Sequence, residues 1–251
     1  LINYLSGCID KKVMKKLLFS VALVAMALTV NAQKFKIGLG GGFNSTWLMN
    51  KNVFDADDDL NVAMSFGGQF GLKTQYYFND KLGLELGIMR AGHNQKYDLN
   101  DGNEQLTLKL RYMDVPLLLR LGGDKGGYFE FGPQFSFLNS AKDVDDDGDS
   151  HNVKGSLKGA NVGIVIGFGV DVDLSEQFTL AAGMRLGYGF SDVTKKYSNA
   201  IDMAADIDDM SGATYWANFK DGTSGKFSYK TTSRVYGGIH LGVLYTIPTG
   251  N

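Results

Sequence analysis

Apolar and polar residues alternate along most of the chain from about residue 33 onward. In the first such segment, Phe35, Ile37 and Leu39 are separated by polar residues and glycines, and a period of two is that of a β-strand. The pattern recurs in eight segments, which span approximately residues 33–47, 66–78, 82–92, 105–121, 128–138, 161–172, 178–190 and 228–247. The sequence therefore predicts an all-β chain of eight strands.

The connections between these segments alternate between long and short. The long ones are polar and cover residues 51–61, 93–104, 139–155 and 191–227, and the short ones are tight turns of a few residues. Up-and-down hairpins place all long loops at one end of a sheet, and an even number of such strands is typical of transmembrane barrels. We therefore expect an eight-stranded antiparallel up-and-down transmembrane β-barrel, with a soluble barrel of the lipocalin type as the alternative.

The composition of the two strand faces favours the membrane barrel. One face carries bulky apolar side chains over eight successive strands, whereas the other is mostly glycine with single charged residues, and the chain has 33 glycines. Aromatic residues such as Tyr76, Phe78 and Trp47 gather near the predicted strand ends, as in the aromatic girdles of membrane barrels. We expect the apolar face to contact lipid and the glycine-rich face to line the lumen.

The amino-terminal segment has the pattern of an export signal. Met14, Lys15 and Lys16 precede an apolar run over residues 17–30, which is too short to span a membrane as a helix. Val30 and Ala32 then supply small residues at the −3 and −1 positions of a leader-peptidase site, which predicts cleavage after Ala32. We expect an upstream translated segment over residues 1–13, a signal peptide over 14–32 and an outer-membrane β-barrel domain over 33–251.

Charge and motifs narrow the function classes. A formal net charge of −2 argues against nucleic acid as a partner, because phosphate binding needs a basic stripe. The chain has three histidines, and His93 is placed near a loop mouth with Asp98 and Asp101 close in sequence. No G-x-S-x-G motif or metal-ligand spacing accompanies them, so we expect no catalysis.

One stretch of the fourth strand resembles a known family. Residues 111–120 read RYMDVPLLLR, which is similar to the signature of the outer membrane protein beta-barrel family, whose members include porin-family and PorT-like proteins. Residues 129–133, 163–169 and 234–236 follow the order of the same family, so the resemblance covers nearly all of 34–247. It implies an integral location in a Gram-negative outer membrane and recognition by the barrel-insertion machinery. The family often ends on an aromatic residue, whereas here six residues follow Tyr245.

Polar residues at mid-height of the inward face are the first candidate site. We expect them to form a buried network, with Arg185 as a bidentate donor to one carboxylate. The network is either a structural plug, since an eight-stranded barrel is filled by side chains, or a site for a proton or small solute. The predicted members are Glu85, Asp114, Glu130, Gln134, Arg185 and His240.

The fourth strand also carries an irregularity. Its apolar residues are even-numbered up to Tyr112 and odd-numbered from Met113, and Pro116 removes a backbone donor within it. A β-bulge near Tyr112 to Pro116 explains both features; a misplaced register is the alternative.

The long loops carry acidic clusters. Asp143, Asp145 and Asp147 fit the first half of a calcium loop, but the twelfth position is Lys154 where a bidentate glutamate is needed. Specific calcium binding is therefore the minor interpretation and a solvated acidic loop the major one, and we expect no other cofactor. Such loops predict a negative outer rim, which divalent ions could bridge to lipopolysaccharide.

These observations lead to a functional expectation. We expect the surface loops to act in interaction or adhesion, with an extracellular protein partner, or in membrane structure, in contact with outer-membrane lipid and lipopolysaccharide. Narrow porin-like transport or a secretion-accessory role is the alternative. Tyr215, Trp216 and Phe219 in the last loop are expected either to cap the barrel or to meet a partner.

Overall fold

The computed structural model describes residues 34–55, 60–99, 104–123, 126–206, 209–219 and 227–248. The expected upstream segment and signal peptide lie outside these described residues. The strands are β1 (Lys34–Asn50), β2 (Leu60–Ala63), β3 (Phe66–Tyr77), β4 (Leu82–Leu99), β5 (Glu104–Gly122), β6 (Gly127–Val144), β7 (Ser150–Asn152), β8 (Ala160–Asp173), β9 (Phe178–Gly189) and β10 (Thr232–Ile247). The helices are α1 (Lys51–Phe54), α2 (Ala200–Ala204) and α3 (Gly212–Asn218). None of the described helices is long and apolar enough to cross a membrane.

Eight of these strands close into an antiparallel barrel. The hydrogen-bonded ring runs β1-β3-β4-β5-β6-β8-β9-β10 and back to β1. The two short strands extend the wall at one end, where β2 pairs with β4 and β7 pairs with β6. The connections from β1 to β3, β4 to β5, β6 to β8 and β9 to β10 lie at that end, whereas the tight turns, the start of β1 and the end of β10 lie at the other. This ring confirms the predicted all-β, eight-stranded, up-and-down barrel.

Apolar side chains form a continuous outward belt around the barrel. Leu39, Phe70, Leu241 and Met184 are between 47% and 67% exposed on the outer surface. The alternate positions of the same strands point into the lumen and are buried. This arrangement excludes the soluble barrel, in which the apolar rows would face the centre, and it confirms that the predicted apolar face points outward.

The strands extend well beyond the apolar belt at the long-loop end. On β5 the outward residues from Met113 to Leu121 are apolar, but above them the outward residues are Lys109 and Arg111. Over the same upper stretch the inward residues become apolar, and Leu108, Leu110 and Tyr112 are fully buried. The same residue parity points outward along the whole of β5. The outward residues are apolar within the belt, whereas above the belt the inward residues are the apolar ones. We call this upper part the outer extension.

This inversion explains most of the irregular pattern in the fourth predicted strand. A register shift does occur beside Tyr112, where Arg111 pairs with Ser140 and Tyr112 with Leu138, so the extra residue is Asn139 on β6. The predicted bulge therefore occurs at the Tyr112 end of the expected range, but its extra residue is on β6, and β5 itself alternates without interruption from Tyr112 to Pro116. The outer extension also corrects the loop boundaries, since most of the predicted loop over 93–104 is strand in β4, and the predicted loop over 139–155 contributes residues 139–144 to β6 and 150–152 to β7.

Two lumen-facing glycines make room for large side chains. A Cβ atom at Gly187 would lie 2.1 Å from the Tyr236 ring, and one at Gly183 would lie 2.7 Å from the Tyr128 hydroxyl. Glycine is needed at these positions because the tyrosines fill the space that a side chain would occupy. The glycine-rich face is therefore the counterpart of a densely filled lumen.

Candidate functional site

Glu85 is the centre of an ion network in the lower half of the lumen. The carboxylate of this residue, which is fully buried on β4, lies 3.1 Å from Lys73 Nζ, 3.0 Å from Arg120 Nη1 and 2.6 Å from Arg185 Nη2. Gln75 Nε2 donates a further hydrogen bond to it at 2.8 Å. Three cations from three different strands therefore converge on one carboxylate.

The guanidinium of Arg185 joins two carboxylates. Its Nε donates to Glu130 Oε1 at 2.6 Å while its Nη2 donates to Glu85 Oε1 at the same distance. The expectation that Arg185 binds a single carboxylate through two bonds was therefore wrong. The nearby His240 shares a 3.0 Å hydrogen bond with the Tyr128 hydroxyl and lies 3.9 Å from Glu130.

A further arginine–carboxylate pair lies lower down, near the mouth with the tight turns, and a single arginine nitrogen serves both carboxylate oxygens. Arg120 Nη2 donates to both carboxylate oxygens of Asp171 at 3.0 Å, and its guanidinium lies 3.7 Å from the centre of the Tyr128 ring. Beside it, Lys36 donates to Thr179, which in turn donates to Asp173. Polar contacts thus tie the strands of the lower lumen to one another.

This network is balanced in charge, and we call it the inner lattice. Its three cations face three carboxylates, so the buried charges are compensated locally. Charges removed from water need such pairing, because an unpaired one costs several kcal/mol. The members are Lys73, Glu85, Arg120, Glu130, Asp171 and Arg185.

A second polar cluster lies above the inner lattice. His93 Nε2 lies 2.8 Å from Asp114 Oδ2, and its Nδ1 lies 3.2 Å from Thr46 Oγ1. The placement of His93 near a loop mouth was wrong: its side chain is fully buried inside the barrel, 5.0 Å from the Tyr236 ring centre. A hydroxyl, an imidazole and a carboxylate in line resemble a hydrolytic relay, but none of the three reaches the surface, so a substrate has no access.

Arg234 and Gln134 complete this cluster. Arg234 Nη2 donates to Ser136 Oγ at 2.7 Å, and its guanidinium lies 4.4 Å from the Tyr112 ring centre. Gln134 accepts a 2.7 Å hydrogen bond from the Tyr236 hydroxyl. These contacts link β6 to β10 across the lumen.

The outer mouth is closed by the last loop. Helix α3 lies in the outer extension, where the Trp216 ring packs edge-on against Tyr97 with centroids 4.7 Å apart. Asn52 from α1 donates to the carbonyls of Trp216 and Ala217, which ties the first loop to the last. We call the resulting buried group the outer cap; it comprises Leu48, Val53, Leu60, Tyr97, Leu108, Leu110, Tyr112, Leu138, Ala141, Val153, Leu157, Val193, Ala213 and Trp216.

The predicted calcium ligands are not brought together. Asp143 is buried and accepts a 2.8 Å hydrogen bond from the Gly212 backbone at the start of α3, whereas Asp145 and Asp147 are exposed. Asp145 accepts from the Asp149 backbone within its own turn. Within the described residues, no group of three metal-binding side chains is close enough to hold an ion. Asp143 therefore anchors the outer cap.

The structure places all six predicted lumen residues inside the barrel, each at most 7% exposed. Glu85, Glu130 and Arg185 belong to the inner lattice, His240 lies beside it, and Asp114 and Gln134 belong to the upper cluster. Sequence reasoning missed Lys73, Arg120, His93 and Arg234. The alternation of inward and outward residues along β3 could have identified Lys73, because this residue lies at an inward position of the strand.

The family comparison agrees with this architecture. The sequence profile of the family described as "Outer membrane protein beta-barrel domain" matches residues 31–200. Among solved structures, Neisserial surface protein A is similar with 10% identity and a TM-score of 0.42, covering 86% of this chain and 100% of that one. OprG from Pseudomonas aeruginosa is similar with 15% identity and a TM-score of 0.42, covering 88% and 99%. Ail of Yersinia pestis, solved with the heparin analogue sucrose octasulfate, has 12% identity and a TM-score of 0.37, covering 85% and 99%. The comparison with curated proteins gives no significant match.

Proposed function

Because the chain belongs to the outer membrane protein beta-barrel domain family, and therefore resides in the outer membrane, we propose that it acts at the cell surface through its outer extension. In this proposal the lumen conducts no solute, and the folded loops present a fixed surface to an extracellular partner. The observation that carries the proposal is the outer cap, which packs the long loops onto a common buried core.

The side chains that fill the lumen support a function in which no solute passes through the barrel. A solute moving along the axis would have to displace the outer cap, separate Arg234 from Ser136 and then break the contacts of Glu85 with three cations. Breaking a buried ion pair costs about 3–5 kcal/mol, and several would have to open together. The side chains thus act as a plug that ties opposite walls of the barrel.

The outer cap supports the interaction role directly. Loops that are ordered before binding lose less conformational entropy on contact with a partner, which increases affinity. Asn50 donates to the carbonyls of Lys230 and Thr231, so the loops are held by backbone-directed bonds as well as by packing. Phe54, Met64 and Ile201 are well exposed in the connections at this end of the barrel, and they are the apolar side chains that the proposal assigns to contact with a partner.

A bilayer experiment tests the closed lumen. Purified protein reconstituted into planar bilayers is expected to give no stable single-channel steps. A variant with Glu85→Ala, Arg120→Ala and Arg185→Ala empties much of the inner lattice and serves as the open comparison. Reproducible steps from the unaltered protein would overturn the plug.

An adhesion experiment tests the surface role. Cells displaying the protein are expected to bind immobilised extracellular proteins, and a variant with Phe54→Ser, Met64→Ser and Ile201→Ser is expected to lose that binding. A control with Lys154→Ser, Lys195→Ser and Lys196→Ser changes the same number of exposed loop residues. Equal binding by cells with and without the protein would contradict the proposal.

Narrow transport is the second candidate, and one feature favours it. A cavity of 160 Å³ opens at the mouth with the tight turns and is lined by Lys36, Tyr77, Arg120 and Asp171 among others. A small charged solute entering there would meet the inner lattice as its next barrier. The same bilayer recordings separate this candidate from the first.

A further inference from the structure

Charged residues on the outward surface of the barrel are confined to one sector. In the described strands β1, β3, β8, β9 and β10, the outward positions carry no charge. On β4, β5 and β6 they carry five cations, whereas Asp98 is the one acidic residue among the outward positions of β4. We call these cations the basic band: Arg90, Lys96, Lys109, Arg111 and Lys142.

The basic band begins where the apolar belt ends. Arg90 follows Ile88 on the outward face of β4, and it pairs directly with Met113 of β5, the last apolar outward residue of that strand. Met113 pairs in turn with Phe137 on β6. Cations on the lipid face of a barrel are costly at mid-bilayer but nearly free at the interfaces. The band therefore lies at the level of the outer-leaflet headgroups.

The cations of the band repel one another. Lys109 and Lys142 are directly opposite in the β5–β6 ladder, and both side chains are exposed. Like charges in directly opposed cross-strand positions are destabilising. None of the five cations forms an ion pair with a carboxylate in the part of the chain that the structure describes. An external anion placed between them would relieve this repulsion.

A groove beside the band joins apolar and cationic surface. It has a volume of 330 Å³ and is lined by Gly68, Phe70, Arg90, Gly92 and Arg111 among others. Phe70 pairs directly with Arg90, so an aromatic ring lies next to the first cation. Nη1 of Arg111 donates to Asn94 Oδ1 at 2.8 Å and to the Leu110 carbonyl at 3.0 Å, which leaves the donors on Nε and Nη2 for a ligand.

We propose that the basic band binds the phosphate groups of an anionic outer-leaflet glycolipid, whose acyl chains then lie along the apolar belt below. Arginine forks match phosphate oxygens, and the lysines add compact positive charge. The proposal rests on the outer-membrane placement, but it is independent of the closed lumen and of the adhesive loops. In this proposal the lipid phosphates contact the cations of the basic band directly. The acidic loops in the sequence instead predicted that divalent ions bridge an acidic rim to lipopolysaccharide.

The test measures binding of lipid A to the protein in phosphatidylcholine nanodiscs by native mass spectrometry. A variant with Lys109→Gln, Arg111→Gln and Lys142→Gln is expected to bind diphosphoryl lipid A roughly tenfold more weakly than the unaltered chain. The matched control changes the exposed loop residues Lys154, Lys195 and Lys196 to glutamine, which removes the same charge. The control is expected to bind as the unaltered chain does.

The unfolding temperature in the same nanodiscs gives a second readout, because the expected change has opposite signs without and with lipid A. Without lipid A, a variant with only Lys109→Gln and Lys142→Gln is expected to unfold at a higher temperature than the unaltered chain, because the opposed lysines no longer repel each other and the hydrogen bonds of Arg111 are kept. With lipid A, the order is expected to reverse. Free inorganic phosphate is expected not to compete and a chelator to have no effect. Equal loss of lipid A binding in the triple variant and in its matched control, or binding abolished by the chelator, would overturn the proposal.

Discussion

Arg185 Nη2 donates to Glu85 Oε1 at 2.6 Å and so joins β9 to β4 across the lumen, although 100 residues separate the two side chains in sequence. The backbone ladders connect each strand only to its neighbours. A contact across the bore adds a constraint that the ladders cannot supply, and the second bond of Arg185, to Glu130, includes β6 in the same constraint.

This relationship predicts a large effect of removing the guanidinium. Arg185→Met keeps the apolar stem of the side chain but leaves Glu130 without its 2.6 Å donor inside the barrel. Loss of one partner of a buried ion pair costs about 3–5 kcal/mol, and we expect this decrease in the free energy of unfolding. Urea titration followed by heat-modifiable gel mobility measures it. Lys195→Met on an exposed loop is the control, and a change below about 1 kcal/mol in Arg185→Met would contradict the lattice.

The barrel and part of its lumen could be predicted from the sequence, because apolar and polar residues alternate along the strands. A period of two assigns every residue of a strand to one face, so the alternation alone places Glu85, Glu130 and Arg185 inside the barrel. His93 and Arg234 were missed because they fall in segments assigned to a loop or close to a strand end. The sequence indicated Tyr215, Trp216 and Phe219 either as a cap or as a partner contact, but it could not decide between the two, because the contact between Tyr97 and Trp216 depends on loop conformation rather than on local pattern.

The outer cap predicts a local effect of Trp216→Ala. Trp216 is 9% exposed and packs against Tyr97, and truncating a buried tryptophan costs about 3–5 kcal/mol. We expect the loop over residues 190–231 to become sensitive to protease while the barrel retains its heat-modifiable mobility. Ile201→Ala, at a residue that is 82% exposed, is the control and is expected to leave cleavage unchanged. Unfolding of the whole barrel by Trp216→Ala would contradict a separable cap.

Asp143 predicts that docking of α3 depends on pH. The residue lies in the outer extension, beyond the apolar belt, and burial raises its pKa to about 6 against the opposing effect of the Gly212 hydrogen bond. The docked state therefore holds the proton more tightly than the undocked state does. Docking is expected to be strongest below about pH 4 and to weaken by at most about 3 kcal/mol as pH rises to about 6, with no further change above.

Fluorescence of Trp216 in a Trp47→Phe background measures this dependence. Acrylamide quenching is expected to increase between pH 4 and 6 in the parent protein. Asp143→Asn cannot ionise and is expected to remain weakly quenched throughout that range. A pH profile of Asp143→Asn that matches the parent would show that another group is responsible.

Gly187 predicts that a single methyl group disturbs the lumen. A Cβ atom there would lie 2.1 Å from the Tyr236 ring, and this buried ring is held by the 2.7 Å hydrogen bond to Gln134. The ring has to rotate and lose that bond, so Gly187→Ala is expected to lower the free energy of unfolding by about 1–3 kcal/mol. Urea titration in the same detergent measures the change.

The matched control for this change is Gly155→Ala, because a Cβ atom at Gly155 meets no other atom within 4 Å. Alanine there is expected to be neutral or slightly stabilising, since it restricts the unfolded chain. A second variant isolates the cause: Gly187→Ala combined with Tyr236→Leu removes the clashing ring, so adding the methyl group to the Tyr236→Leu background is expected to cost less than it does in the parent. An equal cost in both backgrounds would place the strain in the strand backbone rather than in the packing of Tyr236.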